Sequence, residues 1–86
     1  MVTLNKRHDP EISNLIAKQV MREFDRATLL YPTQSSMHEG YAVLLEELDE
    51  VWDEVKNNDA GNAIEEMIQV AAMAIRFIHD HTLRST

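Results

Sequence analysis

Residues 38–55 read HEGYAVLLEELDEVWDEV, and the neighbouring segments are best interpreted from this stretch outward. Apolar side chains recur in it at steps of three and four residues, which is typical of one face of a helix. That face comprises Tyr41, Leu44, Leu45, Leu48, Trp52 and Val55. On the opposite side, Glu47, Glu50 and Glu54 fall within about 60° of one another at 100° per residue. Carboxylates at this density repel each other unless a cation lies among them, so the stretch raises the question of a metal site.

Composition limits the classes of protein that the chain can belong to. Its 86 residues suffice for a single domain covering positions 1–86. Two glycines and two prolines leave little room for strand turns, so an all-α fold is predicted. The absence of cysteine excludes disulfides and thiolate metal sites. A net charge of -7 argues against binding to nucleic acid or to anionic membranes, and we expect a cytoplasmic protein.

Local signals predict where three helices begin and end. Asp9 followed by Pro10 is a helix start, and the first helix should end before Tyr31-Pro32. Ser36 and Glu39 have the spacing of a capping box, which predicts the start of the second helix. The second helix should reach residue 56 or 57, and residues 57–61 predict the next turn. The third helix should run from 59–62 to about 81, with residues 1–8 and 82–86 loosely ordered.

The third helix is apolar around most of its circumference. Its apolar residues are Ile64, Met67, Ile68, Val70, Ala71, Ala72, Met73, Ala74, Ile75, Phe77 and Ile78. A helix of this kind must be covered on nearly all sides, and two neighbouring helices are too few to cover it. We therefore expect a helical-bundle homo-oligomer, a homodimer or homotetramer, whose core includes the third helix of each chain.

Oxygen-bearing side chains occur in two pairs at helical spacing. Glu47 and Glu50 are three residues apart on the second helix, and Glu66 and Gln69 are three apart on the third. If the two helices pack side by side, the four side chains can converge. Oxygen ligands suit hard cations, so Mg²⁺ is the expected cofactor, with Mn²⁺ as the alternative.

The segments Glu46-Glu47-Leu48-Asp49-Glu50-Val51 and Glu65-Glu66-Met67-Ile68-Gln69-Val70 resemble the paired signature of the MazG-like, all-α nucleoside triphosphate pyrophosphohydrolases. That signature is E-x-x-E on one helix and E-x-x-D on the next. The resemblance covers residues 36–80. It implies that Glu47, Glu50 and Glu66 are catalytic metal ligands for Mg²⁺. It also implies that a metal-activated water splits a nucleoside triphosphate between its α- and β-phosphates, giving a monophosphate and pyrophosphate.

Gln69 departs from the family pattern, which has Asp at this position. A neutral amide oxygen is a poorer Mg²⁺ ligand than a carboxylate, so one metal could still bind while a second is doubtful. Two functions therefore stay open. One is a pyrophosphohydrolase with weakened or altered activity. The other is a catalytically inactive oligomeric module of the same fold that binds a nucleotide or a partner.

Three further side chains are candidates for contact with the substrate: Gln69, Arg76 and His38. Arg76 could meet phosphate oxygens, and the alternative is an ordinary salt bridge to an acid on the second helix. His38 could approach a phosphate or lie on the surface. For Tyr41 and Trp52, core packing is favoured over stacking on a base. His79 and His81 are read as residues that complement the dipole at the helix end.

Overall fold

The computed structural model describes residues 8–85 and contains three α-helices. They are α1 (Pro10–Leu30), α2 (Met37–Lys56) and α3 (Ala60–Arg84). Residues 8–85 include no strand, so the prediction of a three-helix, all-α chain is confirmed. None of these helices is both long and apolar enough to cross a membrane. Residues 1–7 and 86, for which loose order was expected, lie outside the described part.

The predicted caps set the helix starts. The Asp9 carboxylate accepts from the backbone N–H groups of Glu11 and Ile12, at 2.9 and 3.3 Å. The Ser36 hydroxyl accepts from the Glu39 amide at 3.1 Å, as expected for a capping box. The return contact differs from the prediction, because the Glu39 carboxylate accepts from the amide of Ser35 at 2.7 Å and from its hydroxyl. The helix start is therefore correct, but the second half of the box is displaced by one residue.

A tight turn joins α2 to α3. Asn58 has φ 55°, in the left-handed region that asparagine tolerates better than most residues. The Asp59 amide donates to the Glu54 carbonyl and the Asn58 amide to the Val55 carbonyl, both at 3.0 Å. These two bonds form a Schellman motif, which satisfies the last carbonyls of α2 and sends α3 back along it.

Helix α3 is the central element. It packs against both α1 and α2, whereas the backbones of α1 and α2 do not approach each other closely within residues 8–85. The buried core joins Val20 and Ala27 of α1 to Ala72 and Met73 of α3. The middle of α3 is thus covered within one chain, while Ile64 near its start stays exposed.

The face of α2 that meets α3 is not the predicted apolar stripe. Val51 is buried and Leu44 is half-buried, but Tyr41, Leu48 and Trp52 are exposed within the chain. The expected core packing of Tyr41 and Trp52 is therefore wrong for the single chain. The reason is the rotation of α2 about its axis, which turns its smaller side chains toward α3 and its larger apolar side chains outward.

The end of α3 is longer than predicted. It continues to Arg84 instead of ending near His81, and the expectation that residues 82–86 are loosely ordered is wrong for 82–84. Tertiary contacts account for the extra turn. The Arg84 guanidinium donates to the carbonyl of Gln34 at 3.2 Å, and the His81 ring lies 3.0 Å from the Gln34 side-chain oxygen. The α1–α2 connection therefore holds the end of α3 in place.

The two glycines of the chain are expected to respond to alanine in opposite directions. A β-carbon at Gly40 would lie 2.6 Å from the Phe77 ring and still closer to the side-chain oxygen of the buried Gln34. At Gly61 the nearest atom would be 3.8 Å away, so the site is open. We expect Gly40→Ala to destabilise by about 1–2 kcal/mol despite better helix propensity. Gly61→Ala should stabilise by roughly 0.5 kcal/mol.

Urea unfolding of the two alanine variants measures both effects. If the free energy of unfolding changed by the same amount and in the same direction in both variants, the close approach of Gly40 to Gln34 and Phe77 would be contradicted.

Candidate functional site

Three glutamates meet where α2 faces α3. One carboxylate oxygen from each of Glu47, Glu50 and Glu66 lies within 4.8 Å of the others. The turn at Asn58 explains the meeting, because Glu50 precedes it and Glu66 follows it by the same number of residues. Helices that run back along each other from such a turn bring these two positions to the same level. Within residues 8–85 this acidic cluster is the one group of three or more such side chains with metal-ligand spacing.

Glu50 is the centre of the acidic cluster. Burial raises the pKa of Glu47, and the charge of Glu50 and a hydrogen bond with it raise that pKa further. A hydrogen bond with Glu50 is the main reason that the pKa of Glu66 is raised, followed by burial and nearby carboxylate charge. A hydrogen bond between two carboxyl groups needs a proton on one of them. Glu47 and Glu66 therefore retain their protons at a higher pH than isolated glutamates do.

The donor set of the acidic cluster fits a hard divalent cation. Three carboxylates supply oxygen ligands and negative charge, which Mg²⁺ and Mn²⁺ prefer to nitrogen or sulfur. Glu50 is exposed and the other two are half-buried, so the cluster is accessible from solvent. Mg²⁺ usually keeps several waters and takes few protein ligands, which such an open arrangement permits.

A groove lies beside the acidic cluster and has a volume of about 350 Å³. Glu47 belongs to both, so the groove opens on the cluster. Its other lining residues come from all three helices and from the α1–α2 connection: Glu23, Arg26, Ala27, Tyr31, Pro32, Glu39, Val43, Glu46, Gln69, Met73 and Arg76. The volume is in the range of small-molecule sites in proteins.

Gln69 lines this groove together with Glu23 of α1. The nearby amide of Gln69 is the main cause that lowers the pKa of Glu23. Arg26 adds to the effect, because its Nε donates to the Glu23 carboxylate at 3.0 Å. The structure thus brings Gln69 into the groove beside Glu23, an acid that is not part of the acidic cluster.

Arg76 is buried at the end of the groove next to the α1–α2 connection. Its Nη2 donates to the carbonyl of Pro32 at 2.6 Å, and its Nε lies 3.7 Å from the carboxylate of Asp80. Its guanidinium carbon lies 5.7 Å from the centre of the Tyr31 ring. The expected salt bridge to an acid on α2 is therefore wrong, since the partner is Asp80 on α3 itself.

The structure also tests what was expected of the histidines. His38 is exposed in the first turn of α2 and does not line the groove, so the structure does not bring it to the acidic cluster. His81 does more than complement a helix end, because it meets Gln34 across the fold, and His79 lies 2.9 Å from the carboxylate of Asp80.

Sequence reasoning missed Glu23 as a residue of the groove. Glu23 belongs to the polar side of α1, and neither a motif nor its spacing distinguishes it from neighbours such as Lys18 and Arg22. Its role depends on how α1 is placed against α3, which no local pattern reports. The one available signal was Gln69, an amide at a position where the resemblance predicts a carboxylate.

The raised pKa values predict that cation binding depends on pH. Glu47 and Glu66 hold protons above their ordinary value of 4.5, and a divalent cation must displace those protons. We therefore expect the apparent affinity for Mn²⁺ to rise with pH, by about tenfold per pH unit for each proton that the cation displaces. The affinity should level off above both raised pKa values. Calorimetric titration from pH 5 to 8 in buffers of different ionisation enthalpy measures this proton release. Binding that does not vary with pH would contradict the prediction.

The comparisons with known proteins add no family. Neither the family models, nor the curated proteins, nor the solved structures include a match to this chain. The fold and the site therefore define a class only. The chain is a three-helix, all-α protein with an acidic cluster between two helices and a groove beside that cluster.

Proposed function

We propose that the protein is a Mg²⁺-dependent nucleoside triphosphate pyrophosphohydrolase of the MazG-like type, which converts a nucleoside triphosphate to its monophosphate and pyrophosphate. The observation that carries the proposal is the convergence of Glu47, Glu50 and Glu66 within 4.8 Å at the side of a groove. These are the residues that match the acidic positions of the MazG-like signature. The proposal therefore joins a motif in the sequence to a meeting of the same side chains in space.

Electrostatics favour a cation over direct binding of phosphate at the acidic cluster. Three carboxylates repel a triphosphate, so they serve a phosphate site when a cation neutralises them. Mg²⁺ held by carboxylates and phosphate oxygens together is a common arrangement. The groove next to Glu47 supplies about 350 Å³ for the remainder of the nucleotide.

The side chains of the site would have different roles. Glu47, Glu50 and Glu66 would hold the cation, which when bound supplies positive charge to the phosphates and acidifies a water molecule. Val43 and Met73 give the groove apolar lining, against which the flat face of a base can pack. Tyr31 lies at the same end as Arg76, and the Pro32 carbonyl and Asp80 hold that arginine in position.

Pyrophosphate release from a panel of dNTPs and NTPs, with Mg²⁺ or Mn²⁺, tests the proposal. The expected result is pyrophosphate release that requires the cation and occurs only for nucleotides with some of the bases. The products should be monophosphate and pyrophosphate, not diphosphate and phosphate, in a chromatographic assay. Absence of release for every substrate at high protein concentration would rule out the enzyme.

A catalytically inactive binding module of the same fold is the second candidate. The observation that favours it is Gln69, a neutral amide at a position where the resemblance predicts a carboxylate. Thermal melting with Mg²⁺ and a non-hydrolysable dNTP separates the two functions. A ligand at 100 times its dissociation constant adds about 2.7 kcal/mol of stability. Stabilisation without turnover of the natural nucleotide would select the binding module.

We also propose that the chain forms a homo-oligomer. Many of its large apolar side chains are exposed, and two groups of them are on α2 and on the first halves of α1 and α3. The first group includes Tyr41, Leu45, Leu48, Trp52 and Val55, and the second includes Ile12, Leu15, Ile16, Ile64 and Met67. Patches of this kind are rare on monomers and mark interfaces. Sedimentation equilibrium should give the mass of a dimer or tetramer, and a monomer at high concentration would exclude the assembly.

A further inference from the structure

Arg76 lines another cavity besides the groove next to the acidic cluster. This cavity, called here the Arg76–His79 pocket, has a volume of about 210 Å³ and is lined by residues of α1, the α1–α2 connection and α3. The lining residues are Thr28, Tyr31, Pro32, Thr33, Arg76, His79 and Asp80. Pockets that hold whole organic ligands usually measure about 300–1,000 Å³, so this one suits a small ion better than a nucleotide.

The charges around the two cavities differ. The groove is lined by four glutamates and two arginines, so negative charge is in excess there: Glu23, Glu39, Glu46 and Glu47 against Arg26 and Arg76. Among the described residues that line the Arg76–His79 pocket, Asp80 is the one carboxylate, and three groups already interact with it. An anion therefore meets less repulsion in this pocket than in the groove.

Asp80 holds two nitrogen-bearing side chains at this pocket. Its Oδ2 lies 3.7 Å from Nε of Arg76, whose Nη2 donates to the Pro32 carbonyl at 2.6 Å. Its Oδ1 lies 2.9 Å from Nδ1 of His79. These contacts engage neither Nη1 of Arg76 nor Nε2 of His79, so both nitrogens remain for a further partner.

The ring of His79 is fixed by contacts with two neighbours. Phe24 of α1 packs against it edge to face, with ring centres 5.3 Å apart. The Asp80 carboxyl is ionised at neutral pH, because its pKa lies below the ordinary 3.8, so it accepts the Nδ1 proton of His79. Nε2 can then accept the proton of a hydrogenphosphate ion or, when protonated itself, donate to a phosphate oxygen.

We propose that the Arg76–His79 pocket is a binding site for a phosphate-type oxyanion, which accepts from Arg76 and shares a proton with His79. A planar guanidinium supplies directed, charge-assisted hydrogen bonds to phosphate oxygens. The His79 side chain is 47% exposed, so an ion can reach it from solvent. Neither the acidic cluster nor a divalent cation takes part, so the site does not rest on the proposed hydrolysis.

Titration of the protein with orthophosphate and, separately, with pyrophosphate tests the site, with a chelator present to remove divalent cations. Calorimetry measures the affinity, and the ¹⁵N NMR signals of the histidine rings report where the ion binds. We expect saturable binding that moves the signals of His79 more than those of His38. Either anion supports the site, and the ratio of the two affinities tells whether free phosphate or pyrophosphate is the better ligand.

Two substitutions in the pocket should weaken binding. His79→Ala should raise the dissociation constant by about tenfold, the effect of losing one hydrogen bond to a charged group. Arg76→Lys keeps the positive charge but lacks the guanidinium fork, and it should weaken binding by a similar factor. His38→Ala is the matched control, because His38 is exposed on α2 and does not line the pocket. Its dissociation constant should stay within about twofold of the wild type, since it loses no contact with the ion.

Melting curves without added anion verify that each variant is folded. The inference would be overturned if neither anion bound saturably to the wild type, or if folded His79→Ala kept the wild-type affinity. An equal loss of affinity in His38→Ala would overturn it as well. None of these results bears on the proposed hydrolysis, because that activity requires the cation which the chelator removes here.

Discussion

Replacing Asp80 by alanine is expected to cost about 3 kcal/mol of unfolding free energy, the largest stability effect that we predict for a single substitution. Asp80 is buried on α3, and its carboxylate interacts with three groups. The backbone amide of Gln34 donates to it at 3.0 Å, the His79 ring lies 2.9 Å away, and the Arg76 guanidinium forms an ion pair with it at 3.7 Å. Without Asp80, the buried Arg76 loses its counter-charge and the Gln34 amide loses its acceptor.

The expected loss is large for a chain of this size. Domains are stable by roughly 0.05–0.15 kcal/mol per residue, so 86 residues provide about 4–13 kcal/mol. A loss of about 3 kcal/mol corresponds to a fall in Tm of roughly 12–24 °C. Asp80→Asn should fall between the wild type and alanine, since asparagine keeps an oxygen for the Gln34 amide and loses the charge.

Asp53→Ala is the matched control for Asp80→Ala. Asp53 also forms an ion pair on its own helix, with Lys56 at 3.3 Å, but both of these side chains are exposed. Exposed pairs contribute about 0.2–0.5 kcal/mol, so the control should melt close to the wild type. Similar Tm values for the alanine variants of Asp53 and Asp80 would contradict the importance of the buried junction.

The pH dependence of stability gives a second measurement of Asp80. Burial would raise the pKa of its carboxyl, but the hydrogen bonds from His79 and Gln34 and the charge of Arg76 outweigh burial and lower the pKa below 3.8. A depressed pKa in the folded state stabilises the fold above the ordinary value, and that stability is lost as pH falls through the lowered value. The alanine variant should therefore lose less stability than the wild type between pH 4 and pH 2.

Glu50→Gln is expected to reduce Mg²⁺-dependent pyrophosphate release by at least about 100-fold. Partners that only orient metal ligands are worth 10–100-fold, and Glu50 is proposed as a ligand itself. It is also the group to which both Glu47 and Glu66 are hydrogen-bonded. The same variant should be slightly more stable than the wild type without metal, by roughly 2 °C, because like-charge repulsion is removed.

For Glu50→Gln, activity should fall while stability rises slightly, which distinguishes loss of the site from loss of the fold. Pyrophosphate release measures activity, and melting with and without Mg²⁺ measures stability. Asp49→Asn is the control, since this exposed neighbour makes the same change in charge and does not belong to the acidic cluster. Full activity of Glu50→Gln, or equal loss in Asp49→Asn, would contradict the assignment of the ligands.

Most helix boundaries could be predicted because their signals are local. The Asp9 cap, the Ser36 cap and Pro32 act on backbone groups within a few residues of themselves, so their effect does not depend on the remainder of the fold. The meeting of Glu50 with Glu66 could also be anticipated, since a short turn at Asn58 places them side by side whenever the two helices pack.

Interactions between distant segments could not be predicted in this way. Periodicity indicates that α2 has an apolar side, but the rotation of α2 about its axis decides that Val51 is buried and Trp52 is exposed. In the same way, the hydrogen bond from Arg76 to the Pro32 carbonyl and the placement of Gln69 beside Glu23 depend on how whole helices are placed.

The amino-acid order is enough to specify three helices, their caps and the position of Glu50 opposite Glu66 on neighbouring helices. Packing in three dimensions then decides which side of each helix is covered and which side chains line the groove. The physical reason is range. Capping and helical periodicity act over three or four residues. Burial and tertiary hydrogen bonds join distant residues, such as the backbone amide of Gln34 and the Asp80 carboxylate, which lie 46 residues apart in the chain.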